Sequence, residues 1–323
     1  MKKIILVVGG AGYIGSHVCK MLLNAGYNPV VYDNMSCGHE YAVKWGDLVV
    51  GDILDKKLLE STILKYKPDA VVHLAAYAYV GESVIHPSKY YLNNVSGTLS
   101  LLEVMRGCGI YKIVFSSTCA VYGNPQQELL DEKHPKNPIN PYGKTKLMVE
   151  NILRDYAVAY NIQSVSLRYF NAAGADPEAE IGEDHNPETH LIPLVLDVAL
   201  RKSPNITVFG NDYATADGSC VRDYIHVFDI ANAHILALKY LFNGGEVIAF
   251  NLGNGHGFSV FEVINMVKKI TGKKIPVLVG ERRVGDPDKL VGNAIQIRQQ
   301  LGWEPKYKTL EAIIKSAWKW VTR

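Results

Sequence analysis

The chain has 323 residues, enough for more than one core, with a formal net charge of +2, 20% charged residues and no basic cluster. That balance gives no electrostatic case for a nucleic-acid partner and leaves small anions as ligands, while no apolar stretch reaches transmembrane length. Five scattered cysteines without metal spacing read as free thiols in a reducing compartment, so a cytoplasmic protein is expected.

Two lysines and a short apolar run, Ile4 to Val8, meet glycine at once, which reads as a first strand and not as a secretion signal. Gly9, Gly12 and Gly15 then open an amphipathic run from Ser16 to Ala25. Their spacing suits a tight turn, close approach of backbone to a pyrophosphate, and close helix packing. A second strand from Asn28 to Tyr32 delivers Asp33, 24 residues past Gly9, where a carboxylate accepts from a ribose diol and disfavours a 2′-phosphate. The expected cofactor is therefore NAD.

Asp47 to Val50 is a short strand, after which Asp52 and Ile53 are expected to border the adenine, with a helix N-cap as the structural alternative for Asp52. Ala70 to Leu74 reads as a buried strand opening into Ala75 and Ala76, small enough for a cofactor to lie against the backbone. A long helix is expected over Pro87 to Cys108, in which Asn93, in preference to Asn94, reaches back to the catalytic region. The next strand, Ile113 to Ser116, ends in Ser116-Ser117-Thr118, hydroxyls at the carboxyl end of a strand where open parallel sheets bind ligands.

Asn140-Pro141-Tyr142-Gly143-Lys144-Thr145-Lys146 organises the rest. With Pro141 in the first helical turn, Tyr142 and Lys146 fall one turn apart on one face, and an ammonium there favours the phenolate. Tyr142 is then a base for an alcohol, with Thr118 as partner of the same oxygen. A sixth strand, Val165 to Leu167, runs to Tyr169 and Asn171. The repeated βα pattern predicts an α/β fold, a Rossmann-like doubly wound parallel sheet with a smaller mixed α/β substrate-binding domain. The expected division is 1–171, rejoined by about 221–254, and mainly 172–323.

Beyond Ala172 the texture is irregular. Arg222 and Arg283 stand in polar, glycine-bearing loops and suit bidentate grip of a diphosphate; pairing with Asp223 or Asp286 is the structural alternative. His185 and His190 have no third ligand at a suitable local spacing, so no metal site is expected.

These residues carry a resemblance. The glycine turn, Thr118, Tyr142 and Lys146, together with Tyr79-Val80-Gly81-Glu82-Ser83, Leu167 to Asn171, Gly210 to Tyr213, Val221 to His226 and Arg282-Arg283, resemble the extended short-chain dehydrogenase/reductase superfamily. Within it, the chain resembles the UDP-glucose 4-epimerase (UDP-galactose 4-epimerase) family along essentially its whole length. The resemblance implies a retained NAD, regenerated each turnover, that takes hydride from C4′ while Tyr142 takes the O4′ proton. The 4-ketopyranose then rotates and receives the hydride on its other face. It adds Tyr13, Ile14, Asn34, Leu74, Asn93, Ser116 and Tyr169 to the cofactor residues, with Lys146 on the nicotinamide ribose. It assigns Asn171, His190, Leu191, Val208, Phe209, Arg222, Arg283, Asp286 and Leu290 to the UDP-sugar. It also implies a homodimer through about Pro87 to Cys108 and Lys144 to Tyr160.

Two departures stand out. Ala78 occupies the position of a family lysine near the cofactor phosphates, and Leu290 that of a tyrosine closing the hexose pocket, leaving room for an N-acetyl group. A stretch around Ala75 to Ser83 and Ser116 to Ala120 also resembles UDP-arabinose (UDP-xylose) 4-epimerases. Among other enzymes, a nucleotide-sugar dehydratase needs acidic residues after Thr118, where Cys119-Ala120 stand. A reductase would exchange its cofactor, and an NAD-binding sensor would not keep Tyr142, Lys146 and Thr118 together.

Overall fold

The computed structural model describes residues 2–283 and 286–323; Met1 and, in the second polar loop, Val284 and Gly285 lie outside the described residues. The first half reads β1 (Ile4–Val8), α1 (Tyr13–Asn24), β2 (Asn28–Asp33), β3 (Asp47–Val50), α2 (Lys56–Tyr66) and β4 (Ala70–His73). It continues through α3 (Val80–Ile85), α4 (Pro87–Tyr90), α5 (Gly97–Gly107), β5 (Lys112–Thr118), α6 (Pro141–Tyr160) and β6 (Gln163–Tyr169). Then come β7 (Asn171–Ala173), α7 (Leu191–Ala199), β8 (Ile206–Phe209), β9 (Val221–Arg222), β10 (Tyr224–His226), α8 (Val227–Phe242) and β11 (Ile248–Leu252). The chain ends with β12 (Phe258–Ser259), α9 (Val260–Thr271), β13 (Val277–Gly280), β14 (Lys289–Leu290), α10 (Ile295–Leu301) and α11 (Leu310–Val321).

Seven strands form one parallel sheet in the order β11-β6-β5-β4-β1-β2-β3. The order reverses between β1 and β4, the switch point at which such sheets bind ligands. Strand alternation explains the continuous apolar runs: Ile5 and Val7 enter the core shared with Val18 and Ile230, while Leu6 and Val8 enter the opposite core with Leu59 and Leu101. Each such fully buried side chain contributes roughly 1.5–3 kcal/mol. A third core, around Val195, Val208, Val263 and Ile314, holds α7, α9 and α11 together beside the sheet.

Helix α6 begins where the sequence predicts. Asn140 accepts from the Gly143 amide, Pro141 fills the first turn, and Asn161 ends the helix in the left-handed region. Lys146, Val149, Glu150 and Leu153 form its buried stripe. The helix expected over Pro87 to Cys108 is not uniform: Tyr91–Ser96 is a π-helical turn between α4 and α5, a distortion that often marks functional sites. It re-aims the two asparagines.

Candidate active site

The glycine turn divides its labour. Gly9 has φ +86°, and a Cβ there would lie 2.5 Å from the Ala75 amide nitrogen; one on Gly15 would lie 2.1 Å from the Gly9 carbonyl. Both glycines are needed by the fold. Gly12 has φ −80°, and its added Cβ would meet nothing of the chain nearer than 3.6 Å. It caps α1, and the amides of Tyr13, Ile14 and Gly15 precede the first intrahelical bond, which Ser16 donates to Gly12. A helix N-terminus left open in this way suits a pyrophosphate. The Tyr13 side chain turns away and donates to the Gly174 carbonyl at 2.6 Å, so only its backbone faces the turn.

Beside this turn lies a cleft lined by Gly9, Gly12, Asp33, Asn34, Ile53, Leu74, Ala75, Ala76 and Asn93. Nine expected cofactor residues therefore share one cleft. Asp33 accepts from the Ala11 and Met35 amides, each at 2.9 Å, and burial raises its pKa against those two bonds. Asp52 is tied to the rim by Asn34 at 2.9 Å, whereas the cap of α2 is Asp55, which corrects the alternative reading of Asp52. Ser36, Cys37, Gly38 and Tyr77 also line the cleft. Sequence reasoning missed them, since the approach of Gly38 to Asp33 exists only in the fold.

The asparagine that reaches back is Asn94. Its amide oxygen accepts from the Tyr77 amide at 2.9 Å, and its nitrogen donates to the Tyr77 carbonyl at 3.0 Å and to Thr145 at 3.2 Å. It thereby joins the cleft wall to the helix of Tyr142 and Lys146. Asn93 donates to Asn94 at 2.9 Å and faces the cleft.

Thr118 and Tyr169 are register partners at the carboxyl ends of β5 and β6. Burial pushes the Tyr142 phenol well up, while a hydrogen bond with the Thr118 hydroxyl pulls the other way. Lys146 is buried, donates to the Ser116 carbonyl at 2.9 Å and lies 6.0 Å from the Tyr142 ring centre. Burial lowers its pKa to about 7. The three groups share one corner of the fold, where burial acts on both titratable side chains and the Lys146 ammonium is directed at the Ser116 carbonyl.

Behind them, Glu150 accepts from Ser117 at 2.6 Å and from Arg168 at 2.8 Å, and Arg168 donates to Tyr122 at 2.9 Å. This buried network locks α6 to β5 and β6. Composition gave no hint of it, since its members are neighbours only through the sheet.

The remaining expected substrate residues lie on β7, at the start of α7, on β8 and β9, and from the Arg283 loop to β14. Arg222 is paired with Asp286, not with Asp223, which instead accepts the amides of Asn254, Gly255 and Gly292. Leu290 is the register partner of Arg222 and is partly buried. The Arg283 guanidinium lies 4.1 Å from the centre of the Phe209 ring, a cation and an aromatic face ready for a base or a phosphate. Val208 is buried in the third core, so only its backbone is offered to a ligand. Asn171 sits at the rim on β7 and is hydrogen-bonded through its amide to the Asp223 carbonyl at 2.9 Å. His190 caps α7, with Leu191 its first residue, and pairs with Glu183.

The fold and this site define a nucleotide-dependent α/β enzyme, and residues 5–253 match the NAD dependent epimerase/dehydratase family, to which the chain belongs. It is 54% identical over 319 residues to UDP-glucose 4-epimerase of Rhizobium meliloti (strain 1021), covering 99% of this chain and 97% of that one. The crystal structure of UDP-glucose 4-epimerase from Brucella ovis in complex with NAD superposes with a TM-score of 0.96 at 51% identity, covering 98% of each chain. The UDP-Glc/GlcNAc 4-epimerase of Campylobacter jejuni superposes with a TM-score of 0.87 at 42% identity, covering 99% of each chain.

Proposed function

We propose that this chain inverts C4′ of a UDP-hexose, interconverting UDP-glucose and UDP-galactose with NAD as a retained cofactor. The observation that carries the reading is the convergence of Tyr142, Thr118 and Lys146 beside a cleft in which Gly12 leaves room for a ligand. NAD, when bound, supplies reversible removal of hydride from an alcohol carbon. Gly12, the open amides of α1 and Asp33 would hold its pyrophosphate and ribose.

Tyr142 takes the O4′ proton and returns it after the sugar has turned, so one phenolic oxygen serves both faces of the 4-ketopyranose. Thr118 holds the same substrate oxygen, and the protonated form of Lys146 favours the phenolate. Asn171, Arg222 and Arg283 hold the diphosphate and uridine, with Arg222 leaving Asp286 or sharing it with the nucleotide ribose. Leu290 sets pocket size, and its modest bulk supports action on UDP-GlcNAc and UDP-GalNAc as well.

The division into lobes at 1–171 with 221–254 and 172–323 fits the separate core around α7, α9 and α11. Among the described residues no helix is long and apolar enough to cross a membrane, and a cytoplasmic homodimer is the assembly we favour. Leu92, Met148 and Val158 are exposed apolar residues on the two helices expected to pair, Val158 at 91%.

Purified protein incubated with UDP-galactose and no added NAD should yield UDP-glucose without net NADH. UDP-GalNAc and UDP-arabinopyranose in parallel reactions identify the preferred sugar. Stoichiometric NADH, or no 4′-epimer even after NAD is supplied, would reject the proposal.

A further inference from the structure

Between β7 and α7 the chain carries Glu183, His185, Glu188 and His190, a Glu-x-His-x-x-Glu-x-His pattern. Each offers one donor atom, and the four atoms lie within 4.8 Å of one another. His185 Nδ1 stands 3.5 Å from Glu183 Oε1 and 3.6 Å from Glu188 Oε2, and His190 Nδ1 stands 3.9 Å from Glu188 Oε1 and in contact with Glu183 Oε1. Donors at zinc distances of about 2.0–2.2 Å around a tetrahedral ion are separated by roughly 3.4 Å, close to the two spacings of His185 Nδ1 to Glu183 Oε1 and Glu188 Oε2. His185 Nδ1 is buried without a hydrogen-bond partner and points into the group. The Glu183 and Glu188 side chains are only 6% and 13% exposed, so both carboxylates are largely withdrawn from water beside the two imidazoles.

We infer that these four residues form a divalent-cation site, closed by two imidazoles and two carboxylates and suited to Zn²⁺. Two carboxylates balance the charge of the ion, and two imidazoles favour zinc over magnesium or calcium, which prefer all-oxygen sets. The sequence reading found no third ligand at a suitable local spacing for His185 and His190; in the fold, the glutamates two residues before each histidine stand beside them. The site is structural in kind. The ring of His185 packs edge-on against Tyr13 at 6.1 Å and against Tyr79 at 6.3 Å, and His190 is the cap of α7. An ion there ties the end of the glycine turn to the helix beginning at Leu191, and so fixes the arch between the cofactor cleft and the substrate side.

The test uses untagged full-length protein, stripped with a chelator, dialysed and titrated with zinc sulfate against a chromogenic chelator. One zinc per chain should bind, and His185→Ala and Glu188→Gln should each weaken binding by at least about 100-fold, since loss of even the outer partners of metal ligands reaches that scale. Cobalt(II) added to the stripped wild type should give the visible absorption of a four-coordinate site, which zinc then abolishes; this arm needs no variant to fold. Circular dichroism checks that the variants are folded. Absence of the cobalt band, or equal zinc affinity in wild type and folded variants, overturns the site and leaves the four residues as an ion-paired cluster.

Discussion

Lys146 directs its ammonium to the Ser116 carbonyl at 2.9 Å while its nitrogen stays 6.0 Å from the centre of the Tyr142 ring. With its pKa lowered by burial to about 7, Lys146 is largely uncharged at the pH where a buried phenol ionises. The phenol of the cofactor-free protein should therefore titrate above its ordinary value of about 10, and Lys146→Met should barely move it. The phenolate absorbance, taken as the difference between wild type and Tyr142→Phe, measures this directly. Ionisation near neutral pH in stripped protein would contradict it.

The glycine turn predicts a contrast between neighbours. Gly12→Ala adds a methyl that meets only the Gly9 carbonyl at 3.6 Å, whereas Gly15→Ala drives one to 2.1 Å from the same oxygen. The first variant should fold with wild-type melting behaviour and lose NAD affinity by about tenfold or more, a loss of about 1.4 kcal/mol. The second should lose stability whether or not NAD is present. Equal stability losses in the two would show that Gly12 is not kept open for a ligand.

Glu150 joins Ser117 and Arg168 in a fully enclosed network. Removing its carboxylate in Glu150→Ala leaves a buried guanidinium without its counter-ion, and the expected loss is about 3–5 kcal/mol. Urea unfolding gives the number. A loss below about 1 kcal/mol would place the variant among ordinary surface changes and refute the role of the network as the lock between α6 and the sheet.

His73 is buried, and burial lowers its pKa to about 3, with the Lys146 charge acting in the same direction. Its Nε2 lies 2.9 Å from Thr98, whose hydroxyl donates to the Asn94 carbonyl, so the ring donates through Nε2. The folded pKa is below the unfolded value of about 6.5, so on acidification the unfolded chain takes up the proton first. Stability from His73 is present above the unfolded value and is lost as pH falls toward about 3. Within that window His73→Gln should reduce the slope of stability against pH by up to about 1.4 kcal/mol per unit. An unchanged slope would mean that His73 is not neutral in the folded protein.

Leu290 lies beside Arg222 on adjacent strands. If its size admits an N-acetyl group, Leu290→Tyr should lower the rate on UDP-GalNAc relative to UDP-galactose by about 10–200-fold, the range a pocket gains from small steric differences. An unchanged ratio would remove Leu290 as the gate.

Much of this was legible in the chain because the decisive signals are local. Gly9 to Gly15 and Asn140 to Lys146 each carry their own turn, cap and spacing, and each forms as expected. What was not legible depends on packing between distant segments. Asn93 lines the cleft, but the reach toward the catalytic helix falls on Asn94, within a π-helical turn that no helical periodicity predicts. Glu150 and Arg168 are 18 residues apart on a helix and a strand, and only the packing of α6 on the sheet brings them together in the core. The pairing of Tyr142 with Lys146 was right as a spacing, but the spacing said nothing of Ser116, which claims the ammonium.

The central claim is that Tyr142 moves the proton at O4′. Tyr142→Phe retains the ring and its packing and removes only the hydroxyl, so it should bind NAD as the wild type does and lose UDP-galactose epimerisation by roughly 10³-fold, within the range of general acid–base catalysis. An epimerisation rate within about tenfold of wild type, with NAD bound, would contradict the account.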